Sequence, residues 1–132
     1  MSTATKAHFG FTKLLVEDLD KTADFYKAVC GLTETARVDA VIGGRNISEI
    51  LFAPTAEAAA TFVLLKFLDA PKPTNDEVIL GFQTGDIDAF VERTLAAGGA
   101  VVDPVWDNPE HGVKVAFVTD CEGHLIEVVQ MI

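Results

Sequence analysis

The chain repeats itself at about half its length, and this repeat restricts its possible folds more than any other feature. Asp18 and Asp86, Leu19 and Ile87, Asp20 and Asp88, and Gly31 and Gly99 are each 68 positions apart in a chain of 132 residues. The same order of patterns surrounds each set. Phe9 to Val16 reads as a strand stopped by Asp18-Leu19-Asp20. A helix with Phe25, Tyr26 and Val29 on one stripe then runs from an N-cap at Asp20 to Gly31. Thr33 to Val41 and Asn46 to Phe52 read as strands joined at Gly43-Gly44, and Thr61 to Leu68 as a strongly apolar strand. Between them, the alanines of Pro54 to Ala60 are compatible with a short helical turn. Asp69 to Glu77, with Pro71 and Pro73, is the most linker-like stretch.

The series then restarts. Val78 to Thr84 reads as a strand, stopped by Gly85 and Asp86-Ile87-Asp88. A helix carries Phe90, Val91, Thr94 and Leu95 on one side and ends at Gly98-Gly99. Ala100 to Val105 is a short strand, Asp107 to Gly112 a loop and Val113 to Thr119 a strand. The closing hairpin runs from Asp120 to Gln130. Neither half can bury a sheet alone. The expected fold is α+β: two tandem βαβββ modules forming a cupped, mostly antiparallel sheet around a cavity, helices outside. Module one covers about 8–68, a linker 69–77 and module two about 78–130, within one domain spanning 1–132.

The totals agree with a single domain that needs no staples. Apolar residues make up 49% of the chain, enough for a real core at this length, yet no run reaches the 18 or more that a membrane span needs. The start has no apolar core or cleavage pattern, so no signal peptide is expected. Cys30 and Cys121 form no disulfide framework and fit a reducing cytoplasm. A formal charge of −10 repels nucleic acid and anionic membranes and favours a cationic ligand, although it also simply confers solubility.

In the closing hairpin, Leu125, Glu127 and Val129 share one strand face and Ile126 and Val128 the other. Glu127 therefore sits among apolar neighbours. If half-buried it needs a metal, a cation or hydrogen-bond donors; otherwise it faces solvent.

Three stretches carry a family resemblance: Val16-Glu17-Asp18-Leu19-Asp20, then Asp24-Phe25-Tyr26 with Gly31-Leu32, then Asp120-Cys121-Glu122-Gly123-His124-Leu125-Ile126-Glu127. Together with the duplication they resemble the vicinal oxygen chelate superfamily, which contains glyoxalase I, bleomycin-resistance proteins and extradiol dioxygenases. The last stretch is similar to that family's "DPDG-x-x-IE" ending, with Cys121 and Glu122 in place of proline and aspartate. The resemblance implies the paired-module fold and a homodimer, in many members with the cavity shared between chains or the modules swapped. Function does not follow, because one scaffold hosts many chemistries.

In metal-dependent members the resemblance implies four ligands, on the first and last strands of each module. The corresponding positions here are Phe11, Ile79, a residue near Leu65, and Glu127. Only Glu127 offers a ligand atom, and zinc or non-haem iron sites need about three protein ligands. His8 and His124 lie at odd offsets from Phe11 and Glu127 and so point to opposite strand faces; His111, in the loop, adds one donor at most. No metal or other cofactor is therefore expected, with a divalent metal as the alternative.

Phe11, Leu65 and Ile79 would instead make apolar walls, with Lys13, Gln83 and Glu127 as converging polar groups. Lys13 either pairs with Glu127, replacing the metal's charge, or extends to the rim. Gln83 either enters the pocket or is solvated. Trp106, on a loop with Asp107 and Glu110, either closes over a planar or cationic ligand or packs against a helix. Cys30 has no basic neighbour on its turn to make it reactive. The leading expectation is a protein that binds or sequesters a small aromatic or cationic molecule, with no nucleic-acid or membrane partner. The alternative is an enzyme of lyase or dioxygenase type, metal-dependent or using Glu127 as general base. A third reading is a regulatory interaction module.

Overall fold

A computed structural model describes residues 9–42, 44–69, 73 and 78–132. His8, Gly43 and most of the expected linker lie outside the described residues. Module one contains β1 (Phe11–Leu15), α1 (Leu19–Cys30), β2 (Glu34–Ile42), β3 (Arg45–Phe52) and β4 (Thr61–Phe67). Module two repeats the series as β5 (Ile79–Gln83), α2 (Ile87–Ala96), β6 (Ala100–Asn108), β7 (Val113–Thr119) and β8 (Leu125–Met131). The molecule is thus an α+β fold of two βαβββ modules, each with its own four-stranded sheet, in the orders β1-β4-β3-β2 and β5-β8-β7-β6. The first strand pairs parallel to the last in each module, and the remaining pairs are antiparallel.

Local chemistry explains the helices. Asp18, not Asp20, is the N-cap of α1, its side chain accepting from the Lys21 N–H, and Asp86 caps α2 in the same way from Ala89. Asp20 falls in the first turn, where its charge still suits the helix dipole. At the other end Gly31 adopts φ 68°, a left-handed conformation that spares it the Cβ clash other residues would incur. Pro54 to Ala60 forms bends and turns, not a helix.

One face of each sheet is covered by helix. Leu14, Val16, Ile50, Phe52 and Leu64 of sheet one join Leu80, Ala116, Val118, Ile126 and Val128 of sheet two in one core. The helices supply Phe25, Tyr26, Val29, Ile87 and Phe90. Tyr26 lies 5.0 Å from Phe62 and 6.2 Å from Phe82 between ring centroids, so aromatic packing crosses from one module to the other. Among the described residues the opposite faces carry no helix. Burial on both faces holds for the centre of β4, where Val63, Leu64 and Leu65 are all buried. It does not hold at Phe11 and Ile79, which are 56% and 58% exposed. No helix among the described residues is long and apolar enough to cross a membrane.

Candidate functional site

The ladder registers decide which side chains share each open face. In sheet one, Phe11, Lys13 and Leu15 stand opposite Thr61, Val63 and Leu65, and Leu65 stands opposite Glu49. Alternation therefore gathers Phe11, Lys13, Glu49, Val63 and Leu65 on one face. Its floor is dry, with Val63 at 4%, Leu65 at 2% and Ile47 at 1% exposure, and these three are absent from the shared core. In sheet two, Ile79, Gly81 and Gln83 pair with Leu125, Glu127 and Val129. Glu127 and Val129 pair in turn with Phe117 and Val115. A recess of about 340 Å³ is lined by Gly81, Phe82, Gln83, Glu127 and Val129. The glycine at 81 leaves open space beside Glu127, since a Cβ there would meet nothing within 4 Å.

The expected residues thus fall into two groups on two sheets: Phe11, Lys13 and Leu65 on the first, Ile79, Gln83, Glu127 and Trp106 on the second. Of the two readings of Lys13, a pair with Glu127 or extension to the rim, the first is replaced by a pair with Glu49. Lys13 Nζ lies 3.0 Å from Glu49 Oε2, the two side chains being 33% and 11% exposed, and 5.7 Å from the Phe11 ring centroid. Sequence alone missed Glu49, because its place opposite Leu65 depends on how β3 registers with β4. Trp106 is also relocated. It belongs to β6, not to a loop, pairs with Val115 and stacks on Phe117 at 6.1 Å and 17°. It is 40% exposed on the face that carries Glu127.

The fit to a metal follows from the donor set. Lys13 pairs with Val63 as Gly81 pairs with Glu127, so the module-one counterpart of Glu127 is Val63, two residues before Leu65. The four positions are then Phe11, Val63, Ile79 and Glu127, and they still hold one carboxylate. Among the described residues no group of three or more His, Cys, Asp or Glu is placed to hold a metal ion. These residues do not fit a resident metal. His124 is buried in the core side of the turn, as its odd offset from Glu127 requires. Burial pushes the Cys30 thiol up to about 12, against a smaller opposing effect of Arg93, so this cysteine is a packing residue.

A family model described as the Glyoxalase/Bleomycin resistance protein/Dioxygenase superfamily matches residues 7–128. The chain is similar to a glyoxalase family protein from Bacillus cereus, at 20% identity and a TM-score of 0.84, covering 100% of this chain and 99% of that one. It is similar to a glyoxalase I mutant from Zea mays at 18% identity and a TM-score of 0.75, over 92% of this chain and 46% of that one. It is also similar to TioX from Micromonospora sp. ML1, at 21% identity and a TM-score of 0.65, over 96% and 100% of the two chains. At such identities the solved structures show a shared fold alone. No curated protein matches.

Proposed function

This chain belongs to the Glyoxalase/Bleomycin resistance protein/Dioxygenase superfamily, and on that footing we propose that it binds a small aromatic or cationic molecule without a resident metal. The observation that carries the reading is the make-up of the open faces. On sheet one a dry apolar floor of Ile47, Val63 and Leu65 lies beside the Lys13–Glu49 pair; on sheet two Val115, Phe117 and Val129 flank Glu127, with Gln83 and Asp103 on the same face. Such a composition suits a small-molecule site, with the floor supplying affinity and the polar groups orientation. The charges favour a cation: Lys13 is matched by Glu49, which leaves the carboxylates of Glu127 and Asp103 on the module-two face toward an incoming positive group.

A cytoplasmic homodimer completes the proposal. Phe11, Leu15 and Ile79 are exposed at the margins of the open faces, and β1 and β5 are edge strands of their sheets. Apolar rims beside unpaired strand edges are the surfaces that folded proteins usually cover. A second copy that set its module-two face over the module-one face of the first would enclose two cavities, each with Lys13 and Glu49 from one copy and Gln83 and Glu127 from the other. The alternative is catalysis, with Glu127 as general base in the recess that Gln83 shares.

Trp106, the single tryptophan, reports on this face directly. Titration with an acridinium dye is expected to quench its fluorescence saturably, and Glu127→Gln to weaken binding at least about ten-fold, the loss of roughly one charge-assisted contact. Equal binding by wild type and Glu127→Gln would overturn the reading. Turnover of a bound compound would move the assignment to the enzymatic alternative.

A further inference from the structure

Asp120, His124 and Tyr26 form a buried polar cluster on the side of the sheets away from the open faces. Asp120 is 2% exposed and His124 4%, both in the turn between β7 and β8. Asp120 Oδ1 accepts the backbone N–H groups of Glu122 at 2.8 Å and His124 at 3.0 Å. Its Oδ2 accepts the Tyr26 hydroxyl at 2.8 Å and lies 2.7 Å from His124 Nδ1. The other ring nitrogen of His124, Nε2, lies 3.2 Å from the carbonyl oxygen of Leu15. Leu15 and Tyr26 belong to module one, Asp120 and His124 to module two. The cluster is therefore a polar junction between modules.

Both ring nitrogens of His124 face acceptors. A neutral imidazole has one N–H and would set a lone pair against one of the two oxygens; the imidazolium donates to both. A buried imidazolium needs a counter-charge, and Asp120 supplies it. We propose that Asp120, His124 and Tyr26 form a pH-sensitive clasp between the modules, closed while His124 is imidazolium and Asp120 carboxylate, and loosened when either loses its charge.

The neighbouring groups act in the same direction. Glu122, in the same turn, accepts from the backbone N–H groups of Glu17 at 3.0 Å and Asp18 at 2.8 Å and from the Thr22 hydroxyl at 3.2 Å. Its negative charge also favours the imidazolium. Cys121 of the turn faces the Lys21 carbonyl of α1, and both Cys121 and Cys30 lie near Tyr26. Burial alone would push His124 down, but the hydrogen bond and charge of Asp120 outweigh it and hold the ring above its ordinary 6.5. Burial likewise would push Asp120 up, and the hydrogen bonds from His124 and Tyr26 hold it below its ordinary 3.8. Burial and Asp120 keep Tyr26 protonated far above 10, so its hydroxyl remains a donor throughout.

The signs follow. The raised histidine contributes stability that is complete below 6.5 and is lost as pH rises through its folded value; the lowered aspartate contributes stability present above 3.8 and lost as pH falls through its folded value. The clasp is closed between the two.

The test uses the unmodified chain: an NMR titration of its histidine rings, with amide exchange followed over the same range. His124 is expected to remain imidazolium through 6.5. Above its midpoint the Glu17, Asp18 and Asp120 amides should lose about ten-fold in protection per unit of pH, relative to the amides of β3 and β7 and after correction for intrinsic rates. A midpoint at or below 6.5 would overturn the proposal, as would protection lost by one factor throughout the chain. Asp120→Asn supplies a second reading. It should lower the His124 midpoint, and an unchanged midpoint counts against the clasp.

Discussion

At the scale of single residues, the closest constraint is on Gly99. A Cβ built there meets the Thr119 carbonyl at 2.3 Å, Thr94 Cγ2 at 2.7 Å and Phe25 at 3.1 Å, whereas one at Gly85 meets nothing within 4 Å. Gly99→Ala is expected to cost about 1–3 kcal/mol by overpacking, and Gly85→Ala to stay within about 0.5 kcal/mol, both measured by urea unfolding. Equal effects would refute the packing explanation. The repeat marked position 99 by pairing it with Gly31, yet the two glycines serve different ends: one turns left-handed, the other makes room. The open-face residues were similarly half-legible. Alternation with period two set Phe11 with Lys13, Ile79 with Gln83, and Leu125 with Glu127 and Val129. The partner of Lys13 was not legible, because Glu49 lies 36 positions away and reaches it only through the β3–β4–β1 ladders. The shift from Leu65 to Val63 has a similar cause. Phe11 and Ile79 are 68 positions apart, but Thr61 and Leu125, their ladder partners, are 64 apart, so the single interval does not hold across the modules.

At the scale of elements, helix starts test how well capping chemistry reads. The sequence pointed to Asp20 as the N-cap, whereas Asp18, two residues earlier, has the extended backbone of a cap, φ −118° and ψ 102°. Asp18→Ala is expected to destabilise the fold by about 1 kcal/mol and Asp20→Ala by only a few tenths, compared by thermal or denaturant unfolding. The reverse order would mean that α1 begins two residues later. Strand β6 was the element least visible in the sequence. Asp103, Pro104 and Asp107 depress its strand character, and the reading stopped at Val105. In the fold it continues to Asn108 by means of register shifts between Val101 and Asp103 and between Asp103 and Trp106. Proline is tolerated there because β6 is the sheet edge, where one side of the strand needs no donor. The added length is what turns Trp106 from a loop residue into part of an open face.

At the scale of the whole molecule, duplication was legible and assembly was not, since the same repeat serves a cavity closed within one chain or between two. Ile79→Glu puts a charge on an exposed rim position without touching the shared core. Sedimentation velocity is expected to show wild-type dimers and Ile79→Glu monomers, with urea stability of the monomer within about 0.5 kcal/mol of a surface change. A wild-type monomer at all concentrations would remove the shared cavity from the proposed function. The strand alternation described above has one more consequence. Along β1, β4, β5 and β8, successive residues answer to different demands, one standing on an open face and the next holding the chain together in the shared core. Mutations can therefore be sorted by position before any is made: Phe11, Lys13, Val63, Ile79, Gln83 and Glu127 form a palette that can be recoloured, while Leu14, Leu64, Leu80, Ile126 and Val128 are the canvas. Selection for a new ligand would find its variation already interleaved with, and insulated from, the residues that keep the protein folded.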